Sequence, residues 1–429
     1  MCTALVVGNI IGIGIFVMPA ALAPFGLNAL SAWAITVVGC LFLALTFASL
    51  ARTFPHDDGP YAYTRRAFGE GTAFIAMWCY WVSTWVTNAV IAIGVVGYVS
   101  IFIPALNDKP WLPPLTALSF LWLFVLINLF GARSAGWMQL STTLLKLVPQ
   151  VAIIMLGLWL LLAHPAAYSA HLPTTPASLH ALIGATTIAL FAMLGVECAA
   201  IPAGLVRDPA RTIPRATVAG TLIAAFICVS VSIVPMLLIP QHELAASNAP
   251  FADLFARFLG SGYGKLLAAF VVVSGLGALN GWTLIVGEVT QSFARHGNFP
   301  AGLGKLNRHA APARAFLLTG LVASVMMMMN YNQSMASGFA FLSVVVTAAN
   351  LPIYITCALA AIVLWRRGEI ARPAKRAALW ALFALLAFIY CAWVSIGIGL
   401  NSLLWALGLG AVGVPVYLWS RWTRRPARA

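Results

Sequence analysis

The sequence predicts an all-α protein that is embedded in a membrane and crosses it twelve times. Of its 429 residues, 62% are hydrophobic and only 8% are charged, whereas water-soluble domains have about 25% charged residues. The mean hydropathy is +0.95. The apolar residues fall into long runs, and such runs must be helical because lipid offers no partner to free backbone groups.

Twelve apolar runs follow one another, each near the ~20 residues that a helix needs to cross the hydrocarbon core. Their approximate bounds are 1–24, 27–50, 72–104, 112–131, 136–163, 180–205, 213–239, 264–294, 313–332, 337–365, 376–399 and 401–420. No room remains for a water-soluble catalytic or nucleic-acid-binding domain of ~100 residues. The first run lacks the basic segment and cleavage site of a signal peptide, so we expect it to remain in the mature protein.

The basic residues divide unevenly between the two sides that twelve spans define. Of the 24 Lys and Arg residues, the odd-numbered gaps contain three, the even-numbered gaps and the C-terminal tail contain twenty, and Lys146 lies within the fifth run. Because basic loops stay in the cytoplasm, this split predicts two cytoplasmic termini in a bacterial inner membrane. The formal charge of +14 is therefore assigned to loops and not to a nucleic-acid-binding surface.

Three charged residues lie inside the runs: Lys146 in the fifth, Glu197 in the sixth and Glu288 in the eighth. A charge near the bilayer centre costs about 2.5–3.5 kcal/mol, so these residues predict polar partners or water within the protein. Each residue also has a purely structural interpretation. Lys146 would be a packed lysine, Glu197 a carboxylate that accepts hydrogen bonds at a helix break, and Glu288 a residue at a solvated helix end. The cysteines and histidines show no metal-ligand spacing, and neither a metal nor another cofactor is predicted.

Glycines interrupt two runs that are five spans apart. The first run reads GNIIGIGIF, with Gly8, Gly12 and Gly14, and the sixth has a candidate break at 194–197. Interrupted spans in matching positions are typical of transporters that are built as inverted repeats, with a site at mid-membrane. Packing of small residues between helices is the other interpretation of these glycines.

Four segments resemble the amino acid–polyamine–organocation transporters. They are GNIIGIGIFVMPAALAPFG at 8–26, GPYAYTRRAFGE at 59–70, LFAMLGVECAAIPAGLVRDPARTIPRAT at 190–217 and GALNGWTLIVGE at 277–288. Within that superfamily the chain is most similar to the basic amino acid and polyamine exchangers, which include the arginine/agmatine antiporters. The resemblance runs from near residue 1 to about residue 400.

The resemblance implies the twelve-helix LeuT-type fold, in which helices 1 and 6 are broken and two five-helix halves form an inverted repeat. The implied divisions are helices 1–5 in residues 1–163, helices 6–10 in 178–366, helices 11–12 in 375–421 and a basic cytoplasmic tail in 422–429. Members of the family usually have about a dozen more residues before the first glycine motif, so we expect the natural start to lie upstream.

The resemblance also implies a site for an amino acid or polyamine between the breaks of helices 1 and 6. Amides of residues 12–14 would bind the carboxylate, because free N–H groups at a helix N-terminus form an anion site. Carbonyls of 9–10 and 191–194 would bind the ammonium group. The residues assigned in this way are Asn9, Ile10, Gly12, Ile13, Gly14, Phe191 and Leu194.

Side chains complete the predicted site. Those assigned to substrate are Ser83, Thr84, Asn88 and Trp282, and those assigned to gating or coupling are Tyr61, Tyr80, Lys146, Glu197 and Glu288. Trp282 matches a tryptophan over which the arginine exchangers stack the substrate guanidinium, and a cation over an indole gains roughly 0.5–2 kcal/mol. Phe191 replaces a gating tryptophan and Ile13 replaces a serine, which weakens basic side-chain specificity. A membrane tryptophan also commonly serves packing or interface anchoring.

Lys146 departs from the arginine/agmatine exchangers and resembles the helix 5 lysine of other members, which include proton-coupled carriers. Desolvation disfavours the charged form of a buried lysine, so proton coupling is one hypothesis. A fixed strut between helices is the other.

These observations predict an amino acid transporter that works by alternating access, as an exchanger. The alternatives are a proton-coupled symporter of neutral or broad-range amino acids, a membrane-embedded enzyme with Glu197 and Glu288 as acid/base groups, and a channel. The sequence has no metal-ligand motif such as H-E-x-x-H to support an enzyme. The pair of broken helices fits a channel poorly. The sequence leaves open the exact substrate and whether the protein forms a homodimer in the bilayer.

Overall fold

The computed structural model describes residues 2–55, 59–130, 132–169, 175–197, 208–295, 297–329, 334–370 and 374–423. Nineteen α-helices lie within these ranges. They are α1 (Cys2–Ile10), α2 (Gly14–Leu22), α3 (Asn28–Thr53), α4 (Pro60–Phe68), α5 (Glu70–Val99), α6 (Ala105–Asp108), α7 (Leu112–Leu129), α8 (Ala132–Ala163), α9 (Ala166–Ser169), α10 (Leu179–Ala192), α11 (Pro209–Leu238), α12 (Gln241–Ala246), α13 (Pro250–Leu259), α14 (Ser261–Arg295), α15 (Ala313–Met329), α16 (Met335–Arg366), α17 (Ala374–Ile396), α18 (Leu400–Ala411) and α19 (Gly413–Thr423).

Nine helices of the described residues are long and apolar enough to cross a membrane, and three shorter apolar helices span Gly14–Phe25, Leu179–Ala192 and Ala313–Met329. The apolar composition explains the helices, because each closes its own backbone hydrogen bonds. The prediction of an all-α protein with many membrane-length helices is confirmed for this part of the chain.

The first apolar run is two helices, α1 and α2, that are separated by residues 11–13. The interruption contains Gly12 and ends directly before Gly14, within the glycine motif where the sequence predicted it. Glycine is among the least favourable residues in a helix interior, which weakens the helix at this point.

The sixth run is helical only to the end of α10 at Ala192, and residues 193–197 form turns. The helix therefore ends just before the predicted break at 194–197. The rest of this run, 198–205, lies outside the described residues, as do residues 424–429 of the predicted basic tail.

The twelfth run was expected to be one helix but is divided into α18 and α19 at Val412. Pro415 is the physical reason, because a proline ring collides with the carbonyl four residues earlier, here that of Ala411. Gly413 allows a close approach at the division, since a Cβ atom there would lie 2.6 Å from the Trp78 ring.

Besides the four-residue helices α6 and α9, three helices of six to ten residues that the apolar runs did not predict connect the longer ones. They are α4, α12 and α13. Gly69 separates α4 from α5 with φ +86°, a conformation that glycine adopts without steric cost. Their sequences carry charged residues, so a search for apolar runs passes over them.

The long helices differ greatly in burial. In the most apolar stretch of α5, 89% of the residues are buried, against 11% for the stretch that covers α18 and α19. α5 packs against α7, α14, α15 and α16 and also contacts α2. It is therefore a central helix, and residues on its different faces reach different parts of the protein.

Candidate functional site

A small cavity lies where α1 ends, α2 begins and α10 ends, between α5 and α14. Its volume is about 30 Å³, whereas ligand pockets usually have about 300–1,000 Å³. The residues that line it are Ile10, Gly12, Ile13, Gly14, Thr87, Ile91, Phe191, Ala192, Leu194 and Trp282. The structure thus brings together seven residues that the sequence assigned to the substrate. No charged side chain is among these ten, so backbone dipoles supply most of the polarity.

The break between α1 and α2 exposes backbone groups in two ways. The N–H groups of Ile13 and Gly14 stand at the start of α2, and the first N–H groups of a helix have no partner within it. The Gly12 N–H instead donates to the Ile10 carbonyl at 3.0 Å, so two atoms expected to contact substrate are engaged with each other. Asn9 is the penultimate residue of α1, and its side chain is outside the described part.

The Phe191 ring covers this break. A Cβ atom on Gly14 would lie 2.8 Å from Cε1 of Phe191, so the ring packs directly on the backbone because Gly14 has no side chain. The ring also meets Phe339 edge-on, with centroids 5.8 Å apart. Phe191 is 8% exposed, and its position fits the aromatic plug that the sequence predicted.

Glu197 is buried beside the turn that follows α10. The Tyr354 hydroxyl donates to Oε2 of Glu197 at 2.6 Å and accepts the Gly195 N–H at 3.5 Å. The Tyr80 hydroxyl is close enough to interact with the same carboxyl group. Gly195 has φ +112°, which favours glycine. Sequence reasoning missed Tyr354, although a polar ring in the apolar tenth run is a signal that a partner lies nearby.

Two hydroxyl residues predicted on α5 bond within the protein and do not line the cavity. Ser83 Oγ donates its one proton to the Tyr80 carbonyl at 2.7 Å, and Oδ1 of Asn350 is a second acceptor at 3.2 Å. Thr84 Oγ1 donates to the Trp81 carbonyl at 2.7 Å. Both side chains therefore have their hydrogen bonds satisfied by α5 itself or by α16.

Asn88 is 2% exposed, and its Oδ1 atom has no hydrogen-bond partner among the described residues. It does not line the cavity, whereas its neighbour Thr87 does, together with Ile91 one turn further. The sequence missed both because α5 is apolar on all sides, and such a helix gives no stripe that marks one face.

Trp282 and Glu288 lie on α14 in different surroundings. Trp282 is partly buried and lines the cavity. Glu288 is exposed and does not line it, which fits the interpretation as a solvated helix end. The two residues predicted on this helix are therefore not brought together.

Lys146 joins two membrane segments. Its Nζ atom donates to the Gly8 carbonyl at 3.3 Å, and the residue is 2% exposed. This contact ties α8 to α1, next to the break. Tyr61 lies elsewhere, on α4, where its hydroxyl accepts from Nδ2 of Asn298 at 3.4 Å.

α12 and α13 cover the far end of α2. Gln241 Nε2 donates to the Ala23 carbonyl at 2.9 Å, and the Phe16 and Phe251 rings meet edge-on at 5.6 Å. Burial raises the pKa of Asp253 on α13 above its ordinary value, while the Ser247 hydroxyl that donates to it acts to lower that pKa. The contacts of Gln241 and Phe251 with α2 and the residue that follows it close the α2 side of the cavity with packed side chains.

Comparison with known proteins places this geometry in context. The family model described as amino acid permease matches residues 2–414. The chain is 32% identical to the cadaverine/lysine antiporter of Escherichia coli (strain K12) over 83% of this chain and 81% of that protein. It is 28% identical to the putrescine transporter PotE of the same organism, over 97% of this chain and 94% of that protein.

Proposed function

The chain belongs to the amino acid permease family, and we propose that it is an antiporter that exchanges basic amino acids or polyamines across a bacterial inner membrane by alternating access. The family match over residues 2–414 carries the proposal. The names of the two relatives support the substrate class, since one is a cadaverine/lysine antiporter and the other a putrescine transporter. This function requires no cofactor.

The proposal includes the twelve-span, LeuT-type arrangement. The nine long and three shorter apolar helices of the described residues support it, as do the interruptions after α1 and α10. The split of basic residues supports cytoplasmic termini. Reporter fusions after Arg211 and at the C-terminus should report the cytoplasm, and one after His171 the outside. An external C-terminus would contradict the span count.

We assign the substrate carboxylate to the amides of Ile13 and Gly14, the ammonium to carbonyls of 191–194, and a distal cation to the Trp282 face. An anion at the start of a helix is stabilised by free N–H groups and by the helix dipole. Because the cavity is only about 30 Å³, an amino acid enters only when the Phe191 ring moves away from Gly14.

Exchange in proteoliposomes tests the proposal. Vesicles preloaded with lysine should take up labelled cadaverine, putrescine or arginine, and vesicles preloaded with alanine should take up much less. Protein-free vesicles are the control. Uptake that is the same with and without internal substrate would contradict exchange.

A proton-coupled symporter is the second candidate, because Lys146 is a buried titratable residue that contacts α1 beside the helix break. If Lys146 gains and loses a proton during transport, uptake should vary with pH, and Lys146→Ala should abolish that variation. Lys146→Arg keeps the charge, because guanidinium does not titrate in this range, and should slow turnover. A wild-type pH profile in Lys146→Ala would exclude a protonating role, and a wild-type rate in Lys146→Arg would indicate a fixed strut.

A further inference from the structure

A large apolar groove lies on the opposite side of α5 from the substrate cavity. Its volume is about 470 Å³, within the range of sites that hold a whole ligand. Three tryptophans of α5, at positions 78, 81 and 85, line it together with Trp405 and Trp419. The remaining wall comes from α15, α18, α19 and the turn at Ala301–Gly304.

The helical spacing explains how residues of α5 line both the groove and the cavity. Trp78, Trp81 and Trp85 are three and four residues apart and share one face, which extends for roughly 10 Å along the axis. Thr87 and Ile91 lie on a different face and line the cavity. A molecule in the groove would therefore pack against the helix that also forms a wall of the substrate site.

The groove wall offers mainly apolar surface, and the indole N–H groups of two of its tryptophans are engaged elsewhere. Trp78 Nε1 donates to the Leu409 carbonyl at 2.9 Å, and Trp81 Nε1 donates to Thr290 Oγ1 at 2.7 Å. These bonds also fix the two indoles in place. Such a wall cannot orient an amino acid or a polyamine, but it suits a hydrocarbon chain.

Positive charge stands at one mouth of the groove. Residues 297–329 and 400–423 contain four Lys or Arg residues and no Asp or Glu. Nη1 of Arg314 lies 2.9 Å from where a Cβ atom of Gly302 would be, beside Leu303, which lines the groove. Leu318, one turn after Arg314, lines it as well. Arg314 is exposed and has no ion pair among the described residues.

We propose that this groove binds an anionic phospholipid, with an acyl chain along the tryptophans and the phosphate paired with Arg314. The apolar groove complements the acyl chain, and the cationic Arg314 near its end complements the phosphate. Arginine pairs well with phosphate because its fork of N–H groups can donate two bonds. The lipid would come from the leaflet on the basic side and would support α5 from behind the substrate cavity.

Lipid binding to the full-length protein tests this directly. Delipidated protein in detergent is titrated with phosphatidylglycerol or phosphatidylcholine, and bound lipid is counted by native mass spectrometry. We expect one tightly held phosphatidylglycerol per chain and weaker binding of phosphatidylcholine. Arg314→Ala should weaken phosphatidylglycerol binding roughly fivefold, as expected for about 1 kcal/mol per basic residue near anionic lipid. Arg308→Ala is the control and should have no effect, since Arg308 is exposed and its Nε donates to His309, which does not line the groove.

A second pair of variants tests the apolar part. Val325 is exposed at the groove rim, so Val325→Trp should fold and fill the groove, and should reduce bound phosphatidylglycerol. Leu317→Trp alters an exposed residue of α15 that does not line the groove, and should leave binding unchanged. Equal binding of both lipids by the wild type, or wild-type binding by Arg314→Ala and Val325→Trp, would overturn the proposal. A dimer that dissociates in Val325→Trp would instead make the groove a contact between two copies.

Discussion

The cavity at the helix break and the tryptophan groove lie on different faces of α5 and differ in almost every property. The cavity holds about 30 Å³ and the groove about 470 Å³. Yet the cavity is the one that has the amides of Ile13 and Gly14 at the start of a helix, with the Phe191 ring packed on Gly14. The comparison indicates that the larger of two hollows in a membrane protein need not be the one suited to the transported substrate, because lipid can fill apolar space and only fixed dipoles can hold a zwitterion.

The largest effect should come from the hydrogen bond beside the cavity. Tyr354→Phe removes the 2.6 Å hydrogen bond that the hydroxyl donates to the buried Glu197 carboxyl, and the loss of such a bond to a buried carboxyl costs up to about 3 kcal/mol. Thermal unfolding in detergent should occur at a clearly lower temperature, and exchange should fall. Tyr417→Phe, on the groove side of α5, is the matched control, since its hydroxyl has no hydrogen-bond partner among the described residues. Equal shifts in both variants would remove the distinction between the two regions.

A smaller effect is expected from adding one methyl group at the break. In Gly14→Ala the new Cβ atom would lie 2.8 Å from the Phe191 ring, and such overpacking costs about 2 kcal/mol. Exchange should slow because the ring can no longer rest on the backbone. Gly408→Ala on α18 is the control, because a Cβ atom there meets nothing within 4 Å. If Gly14→Ala exchanges at the wild-type rate, the ring contact has no part in closing the cavity.

The smallest effect should distinguish two tryptophans. Trp282→Ala removes the indole that lines the cavity and should weaken binding of lysine or arginine by about 1 kcal/mol more than binding of alanine. Trp405→Ala removes an indole of the groove and should leave the substrate preference unchanged. Binding measured by calorimetry or scintillation proximity checks both. Equal losses for basic and neutral substrates in Trp282→Ala would mean that the indole is only a wall.

The sequence predicted the parts of the site that depend on local chemistry. The glycine spacing identified the break between α1 and α2, and the buried charges Lys146 and Glu197 were expected to have polar neighbours, which the Gly8 carbonyl and Tyr354 are. Each of these follows from a rule about one helix or one charge, so it could be read from a single segment.

The parts that depend on packing could not be predicted. Thr87 faces the cavity and Asn88 does not, a difference set by how α5 is rotated against α2 and α14. α5 is apolar on all sides, so its sequence does not record that rotation. The groove was not predicted either, because its walls come from segments more than 200 residues apart in the chain, such as Trp81 and Phe299.

The bond between the Gly12 N–H and the Ile10 carbonyl has a consequence for how long a substrate stays bound. These two dipoles satisfy each other in the structure, so a substrate that bound them as proposed would replace one hydrogen bond by others of similar strength. The net gain per bond is then only about 0.5–1.5 kcal/mol. If the substrate binds at this break as proposed, we expect weak binding and fast release on either side of the membrane. A carrier's transport rate depends on how fast it releases substrate, so a short residence time favours transport more than tight binding does.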